Sequence, residues 1–194
     1  MIRRPEIDLR NYKEVYDYYE QHEQSKTYAR LAHFAISKLY KPQITNEDGV
    51  GECVEEEVQK GSRFIVSGNH LTADDQYVIV SVAEKMKELN RFRGNTFIPT
   101  EPSLFSRSGL TGKMLRRAVD GLGAIPTFRL EDLKRQGIEI TEEINEMYQD
   151  SLLLSSKVHV SKLLQGSHMA GFWSGSFVQC YRIASTKLYP SNNI

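Results

Sequence analysis

The sequence predicts an α/β protein, a mixed sheet flanked by helices. Three observations predict it. Short apolar runs, Arg63-Phe64-Ile65-Val66, Thr96-Phe97-Ile98-Pro99 and Leu122 to Ile125, are each bounded by glycine, asparagine or proline. Between them lie longer segments with apolar residues at helical spacing, such as Val78, Val82, Met86 and Leu89. Strands alternating with helices over 194 residues fit one α/β layer structure with a sizeable core.

Composition narrows the function classes. The 25 basic and 25 acidic residues cancel, so no global field recruits nucleic acid or an anionic membrane, although local patches can. Two cysteines, Cys53 and Cys180, lack metal-ligand or CxxC spacing, which argues against a disulfide framework or a zinc site. The charged start, Met1 to Glu6, has no apolar core after it, so no signal peptide is expected. No apolar run approaches the roughly 20 residues of a spanning helix. The expected location is cytoplasmic, with membrane contact only peripheral.

In chain order, residues 6–24 are polar, with Tyr12, Tyr16 and Tyr19 at helical spacing, and predict a solvated helix with an aromatic stripe. Ser25 caps a second helix, Lys26 to Leu39, whose Tyr28, Leu31, Ala32, Ala35, Ile36 and Leu39 form one apolar face. Core packing is the favoured reading of that face over membrane adsorption. Pro42 ends the helix, and the acidic run Glu52 to Glu57 reads as a surface helix or loop. The first strand, 63–67, leads through a turn to a helix over 76–89, and the second strand is 96–99. A short helix around Leu115 to Val119 precedes the third strand. Leu130 to Leu154 contains a long amphipathic helix, clearest from its cap at Thr141. Val158-His159-Val160 reads as extended and Ala170 to Trp173 as a further strand. His159 and His168, without a partner pattern, are expected to be structural or exposed.

Chemistry concentrates at Ser67-Gly68-Asn69-His70-Leu71-Thr72-Ala73-Asp74-Asp75, where a strand hands over to a helix. Strand ends are where α/β proteins place side chains in a crevice. A histidine near neutral pKa takes a proton from an attacking hydroxyl, and a carboxylate on its other nitrogen fixes the tautomer and stabilises the imidazolium. On one continuous helix Asp74 would face His70; Asp75 becomes the partner if His70 precedes the helix. The bland alternative is a loop histidine beside two favourable first-turn charges. Arg91, Arg93, Lys113, Arg116, Arg117 and Arg129 form a candidate basic surface, most of it expected to be solvated.

Asn69-His70, four residues and Asp75 after an apolar strand resemble the first motif of the glycerolipid acyltransferase family. Gly123-Ala124-Ile125-Pro126-Thr127-Phe128-Arg129 resembles that family's second motif, a glycine, an apolar run and an arginine that holds the acceptor phosphate. Ala170 to Phe177 stands where the third motif, glutamate-glycine-threonine-arginine, belongs. Gly175 matches it, Ser176 replaces threonine, and Ser174 and Phe177 replace the glutamate and arginine.

The resemblance covers about residues 44–175. It implies an acyltransferase-like α/β domain over 44–177, after an N-terminal helical segment over 1–43 and before a short tail over 178–194. Because the family continues further, it also implies a C-terminally truncated member. The implied activity moves a fatty acyl group from acyl-CoA or acyl carrier protein to a glycerophosphate or lysophospholipid hydroxyl in phospholipid synthesis. His70 would be the general base and Asp75 its partner, with the acceptor hydroxyl in the place a serine takes in a hydrolase triad. Arg129, Asn69, Gly123 and Gly175 would contact substrate. No metal, no bound redox cofactor and no nucleic acid is implied. The altered third motif predicts impaired activity, and a non-catalytic lipid- or acyl-carrier-binding protein on the same scaffold is the alternative. A hydrolase using Ser67 ranks lower, because no G-x-S-x-G elbow surrounds that serine.

Overall fold

The structure, a computed structural model, describes residues 4–45, 49–69, 75–105, 109–173 and 180–183. Among the described residues, seven α-helices, α1 (Tyr12–Gln21), α2 (Lys26–Leu39), α3 (Val50–Gln59), α4 (Asp75–Lys85), α5 (Gly109–Gly121), α6 (Leu130–Arg135) and α7 (Glu142–Leu164), surround five strands. These are β1 (Arg63–Asn69), β2 (Thr96–Thr100), β3 (Ala124–Pro126), β4 (His168–Trp173) and β5 (Cys180–Ile183). The sheet order is β3-β2-β4-β1-β5. The first four strands pair in parallel, and β5 lies antiparallel along β1. The chain is an α/β protein.

Right-handed crossovers dictate where the helices go. From β1 to β2 and from β2 to β3 the chain moves one way across the sheet, which puts α4 and α5 on one face. From β3 back to β4 it moves the other way, which puts α7 on the opposite face. The packing agrees: α2 lies on α4 and α5, whereas α1 packs on α7.

The main core lies on the α7 face. Tyr12, Val15, Tyr16 and Tyr19 of α1 meet Phe97, Ala124, Ile125, Phe128 and Val158 there. The tyrosine stripe is therefore core and not solvated, a correction to the sequence reading. Each ring contributes apolar area of the size that makes aromatics dominate cores. Two of the three hydroxyls that make these residues look polar find carboxylates far along the chain: Tyr12 Oη donates to Asp150 at 3.1 Å and Tyr19 Oη to Asp120 at 2.8 Å. Asp120 also takes Arg4 at 2.6 Å. This buried network joins the N-terminal segment to the end of α5. Burial, then the Asp120 charge, pushes the Tyr19 hydroxyl pKa up, so it stays a donor.

Several boundaries differ from expectation. Gly137, at φ 77°, ends α6 after six residues, so a short helix precedes the long one expected within 130–154. Thr141 does cap α7, accepting from Ile144 N at 3.3 Å. That helix runs through Val158-His159-Val160, which is not extended. Val158 is buried and His159 stacks on Phe97 at 5.3 Å, so tertiary packing overrides two β-branched residues. Ser25 caps α2 as expected, yet the α2 face is not core: Ala29 is buried, while Leu31 and Leu39 are exposed. β5 lies in the segment read as an irregular tail, and α5 spans 13 residues where a short helix was expected.

Smaller contacts close the other face. Phe64 and Phe92 enclose His168, whose ring lies 4.0 Å from Phe92, and Phe64 N donates to its Nδ1 at 3.2 Å. Burial lowers its pKa from 6.5 to about 4. The folded state therefore favours neutral His168, and its stabilising contribution is lost as pH falls from about 6.5 through about 4. The His168 ring resonance is expected to stay in its neutral position until pH approaches 4. A midpoint near that of a free histidine would contradict the burial argument.

Candidate active site

Parallel pairing sends the carboxyl ends of β1 to β4 to one edge of the sheet, the edge where α/β proteins bind ligands. β1 ends at Asn69, opposite Trp173, the last residue of β4. β2 ends at Thr100, opposite Pro126 of β3. Arg129 follows three residues later as the N-cap of α6. His70 comes directly after Asn69 in the chain but lies outside the described residues, as do Ser174, Gly175 and Phe177. Asp75 is the first residue of α4. Residues 71–74, Asp74 among them, also lie outside the described residues.

Pairing between β2 and β4 stops short of this edge for a reason visible in the sequence. Ile98 N donates to Gly123 O at 2.9 Å, on the β3 side. Successive residues of a strand face alternate neighbours, so residues 97 and 99 face β4. Residue 99 is proline and has no N–H to give. Pairing of β2 with β4 is accordingly limited to Thr96 with His168 and Phe97 with Met169. Beyond it the ends of β1 and β4 are free to part from those of β2 and β3.

Arg129 is half exposed, and its Nε lies 3.3 Å from Asp132 Oδ2. Asp132, which is buried, also meets Arg135 at 2.9 Å. One carboxylate shared between two guanidinium groups leaves the pair a net positive charge. Arg129 lines a cleft of about 570 Å³ with Arg10, Ser103 and Phe128, and three carboxylates, Glu6, Asp8 and Asp132, share that lining with the two arginines. Arg10 was missed by sequence reasoning because it sits in a polar segment with no motif around it; the cleft alone brings it to Arg129. At roughly 4.8 Å per strand, β3 lies roughly 14 Å from β1, so a ligand touching both ends must be elongated.

Gly123 is not part of this group. It lies at the opposite end of β3 from Arg129, in the turn from α5, with φ 82°. A Cβ there would overlap Gln24 and the Thr96 carbonyl, which Gln24 Nε2 itself hydrogen-bonds. This glycine is needed for a tight turn and close backbone approach. A separate hollow of about 280 Å³ at that end is lined by Gly123, Gln24, Asn95, Lys162 and Ser167.

The basic cluster does not converge on Arg129 either. Arg93 pairs with Glu84, Arg116 donates to Pro5 O at 2.6 Å, and Lys113 and Arg117 are exposed on α5. Among the described histidines, His33, His159 and His168 have their pKa lowered to about 4 by burial, and burial lowers that of His22 too. They serve as packing groups. Among the described residues, no cluster of histidine, cysteine and carboxylates could hold a metal ion, and no helix is long and apolar enough to cross a membrane.

Neither a protein-family model, nor a curated protein, nor a solved structure matches the chain significantly. Function is therefore argued from the residues and their placement.

Proposed function

We propose that this chain is an O-acyltransferase of the glycerolipid type, with an acyltransferase-like mixed sheet. It would move a fatty acyl group from acyl-CoA or acyl carrier protein to the hydroxyl of a glycerophosphate or lysophosphatidate-like acceptor. What carries the reading is the shared carboxyl edge: β1 ends one residue before His70, and Arg129 follows β3 at the same edge.

In this reading His70 removes the acceptor proton as the hydroxyl oxygen attacks the thioester carbon. The carbon–sulfur bond then breaks, and the thiolate leaves with that proton. Asp75 orients His70 and stabilises its charged form. Arg129 holds the acceptor phosphate. Asn69 and Gly175 are assigned to substrate contact, and Gly123 to forming β3 and not to the reacting end.

The test is release of free thiol from an acyl thioester with lysophosphatidate as acceptor. His70→Ala is expected to lose turnover at least about a hundredfold, the contribution of a positioned base. A second reading, a lipid- or acyl-carrier-binding protein without turnover, draws on Ser174 and Phe177 at the altered third motif. Binding of acyl-CoA by wild type with no thiol release above background would favour it.

A further inference from the structure

One side of α7 is left exposed along its length. Ser151, Ser155 and Val158 are on its buried side. On the other, Glu146, Asp150, Leu153, Lys157, Val160 and Leu164 are all exposed. Their spacing alternates between four and three residues. That average of 3.5 is the period of a seam along which two helices pair.

The seam changes character as it runs. Residues 142–156 carry no lysine or arginine, and residues 151–164 carry no carboxylate. Acids near the start of a helix suit its dipole. The dipole gives no reason for Leu153 (56%), Val160 (54%) and Leu164 (79%) to stand in solvent. Asp150 is held in place by Tyr12 Oη at 3.1 Å, so its carboxylate is a fixed part of the seam.

Counted from Leu153, Lys157, Val160 and Leu164 lie four, seven and eleven residues on, and Asp150, Glu146 and Glu143 lie three, seven and ten residues back. The seam is therefore nearly symmetric about Leu153. A two-fold axis there sets Leu153 on Leu153, Asp150 against Lys157, Glu146 against Val160 and Glu143 against Leu164, and the last three pairs occur twice. Glu146 also comes within one turn of the same lysine. Parallel pairing would instead set Asp150 on Asp150 and Lys157 on Lys157, and an axis at Lys157 would oppose the two lysines.

We propose that α7 pairs antiparallel with α7 of a second copy of this chain, around a two-fold axis at Leu153. The seam supplies its own complement, acid against base with leucine at the centre. Glu143, Glu146 and Asp150 on the same side would repel an anionic surface. α7 begins beyond the carboxyl end of β3 and ends before the start of β4, so the carboxyl edges of the two copies face opposite ways. The seam is about 30 Å long, a single helix pair, smaller than the roughly 800 Å² per partner of standard interfaces. The expected dimer is therefore reversible and micromolar. It stands on the seam alone and does not require acyl transfer.

Sedimentation equilibrium of the whole chain, without substrate, tests it. A monomer–dimer equilibrium is expected, weakened at least about tenfold by Leu153→Ser with Val160→Ser and about fivefold by Lys157→Glu. These side chains are exposed, so the variants should melt like wild type. The axis is tested with Cys53→Ser and Cys180→Ser as background: oxidised glutathione should link Leu153→Cys into a covalent dimer much faster than Leu164→Cys. His70→Ala should dimerise as wild type does, which separates this result from the catalytic reading. A monomer up to about 200 μM, a dimer unchanged by Leu153→Ser with Val160→Ser, or equal linking at the two cysteine positions would overturn the proposal.

Discussion

Replacing Ser174 by glutamate and Phe177 by arginine together is expected to raise lysophosphatidate acylation about a hundredfold, the yield of one strong charge-assisted contact. The reasoning starts from what each side chain offers a phosphate. Arginine presents planar paired N–H donors and a permanent charge; phenylalanine presents neither. A hydrogen bond to a charged group contributes about 1.5–3 kcal/mol, so the upper half of that range is about a hundredfold in rate. The prediction implies slow turnover by the natural sequence. Arg129 supplies part of the anchor, but its Nε is already engaged by Asp132. Wild-type turnover as fast as that of a folded double variant would show that the acceptor is held elsewhere. Phe177→Arg alone should give part of the gain, and a melting curve distinguishes an inactive variant from an unfolded one.

Asp120→Ala is expected to lower stability by about 3 kcal/mol. Asp120 is only 2% exposed and accepts from both Tyr19 and Arg4. Removing it strands the Tyr19 hydroxyl, which is buried in the core. Arg4, whose side chain is one-third exposed, can partly re-solvate, and this keeps the cost below that of a fully buried broken pair. Asp120→Asn keeps an acceptor for Tyr19 and should cost less than half as much. Urea denaturation measures both. A loss under about 1 kcal/mol for Asp120→Ala would mean that the N-terminal segment does not depend on this network.

The legible parts of the fold were those set by local chemistry. The apolar run at Arg63, the Ser25 and Thr141 caps and the glycine before β3 act within a few residues, and each marks an element that is present. The illegible parts depend on partners distant in sequence. Tyr16 reads as a polar helix residue until Phe128 lies beside it at 6.2 Å. His159 reads as part of a strand until Phe97 stacks on it. The exposure of Leu31 and Phe34 could not be read from their spacing, because an apolar stripe looks the same whether it meets a core or is left exposed.

The candidate site divides in the same way. His70 and its two candidate carboxylates stand out by residue type and spacing, whereas Arg129 and Asn69 are singled out by the resemblance to the acyltransferase motifs. Their relation could not be read, because strand order is a property of the whole sheet. Only the order β3-β2-β4-β1 tells that Arg129 and Asn69 belong to strands separated by two others, and that Gly123 faces the opposite edge. Pro99 is the exception in the other direction. Its missing N–H is plain in the sequence, but its consequence for β2 and β4 becomes visible once the register is known.

The central claim is that His70 is the base for acyl transfer to a phosphorylated acceptor. Thiol release should be measured with lysophosphatidate for wild type and His70→Ala, and again with both carrying Ser174→Glu and Phe177→Arg. The account predicts slow acceptor-dependent release by wild type, faster release by the double variant, and a loss of at least about a hundredfold on His70→Ala in either background. Equal release with and without His70 would contradict it.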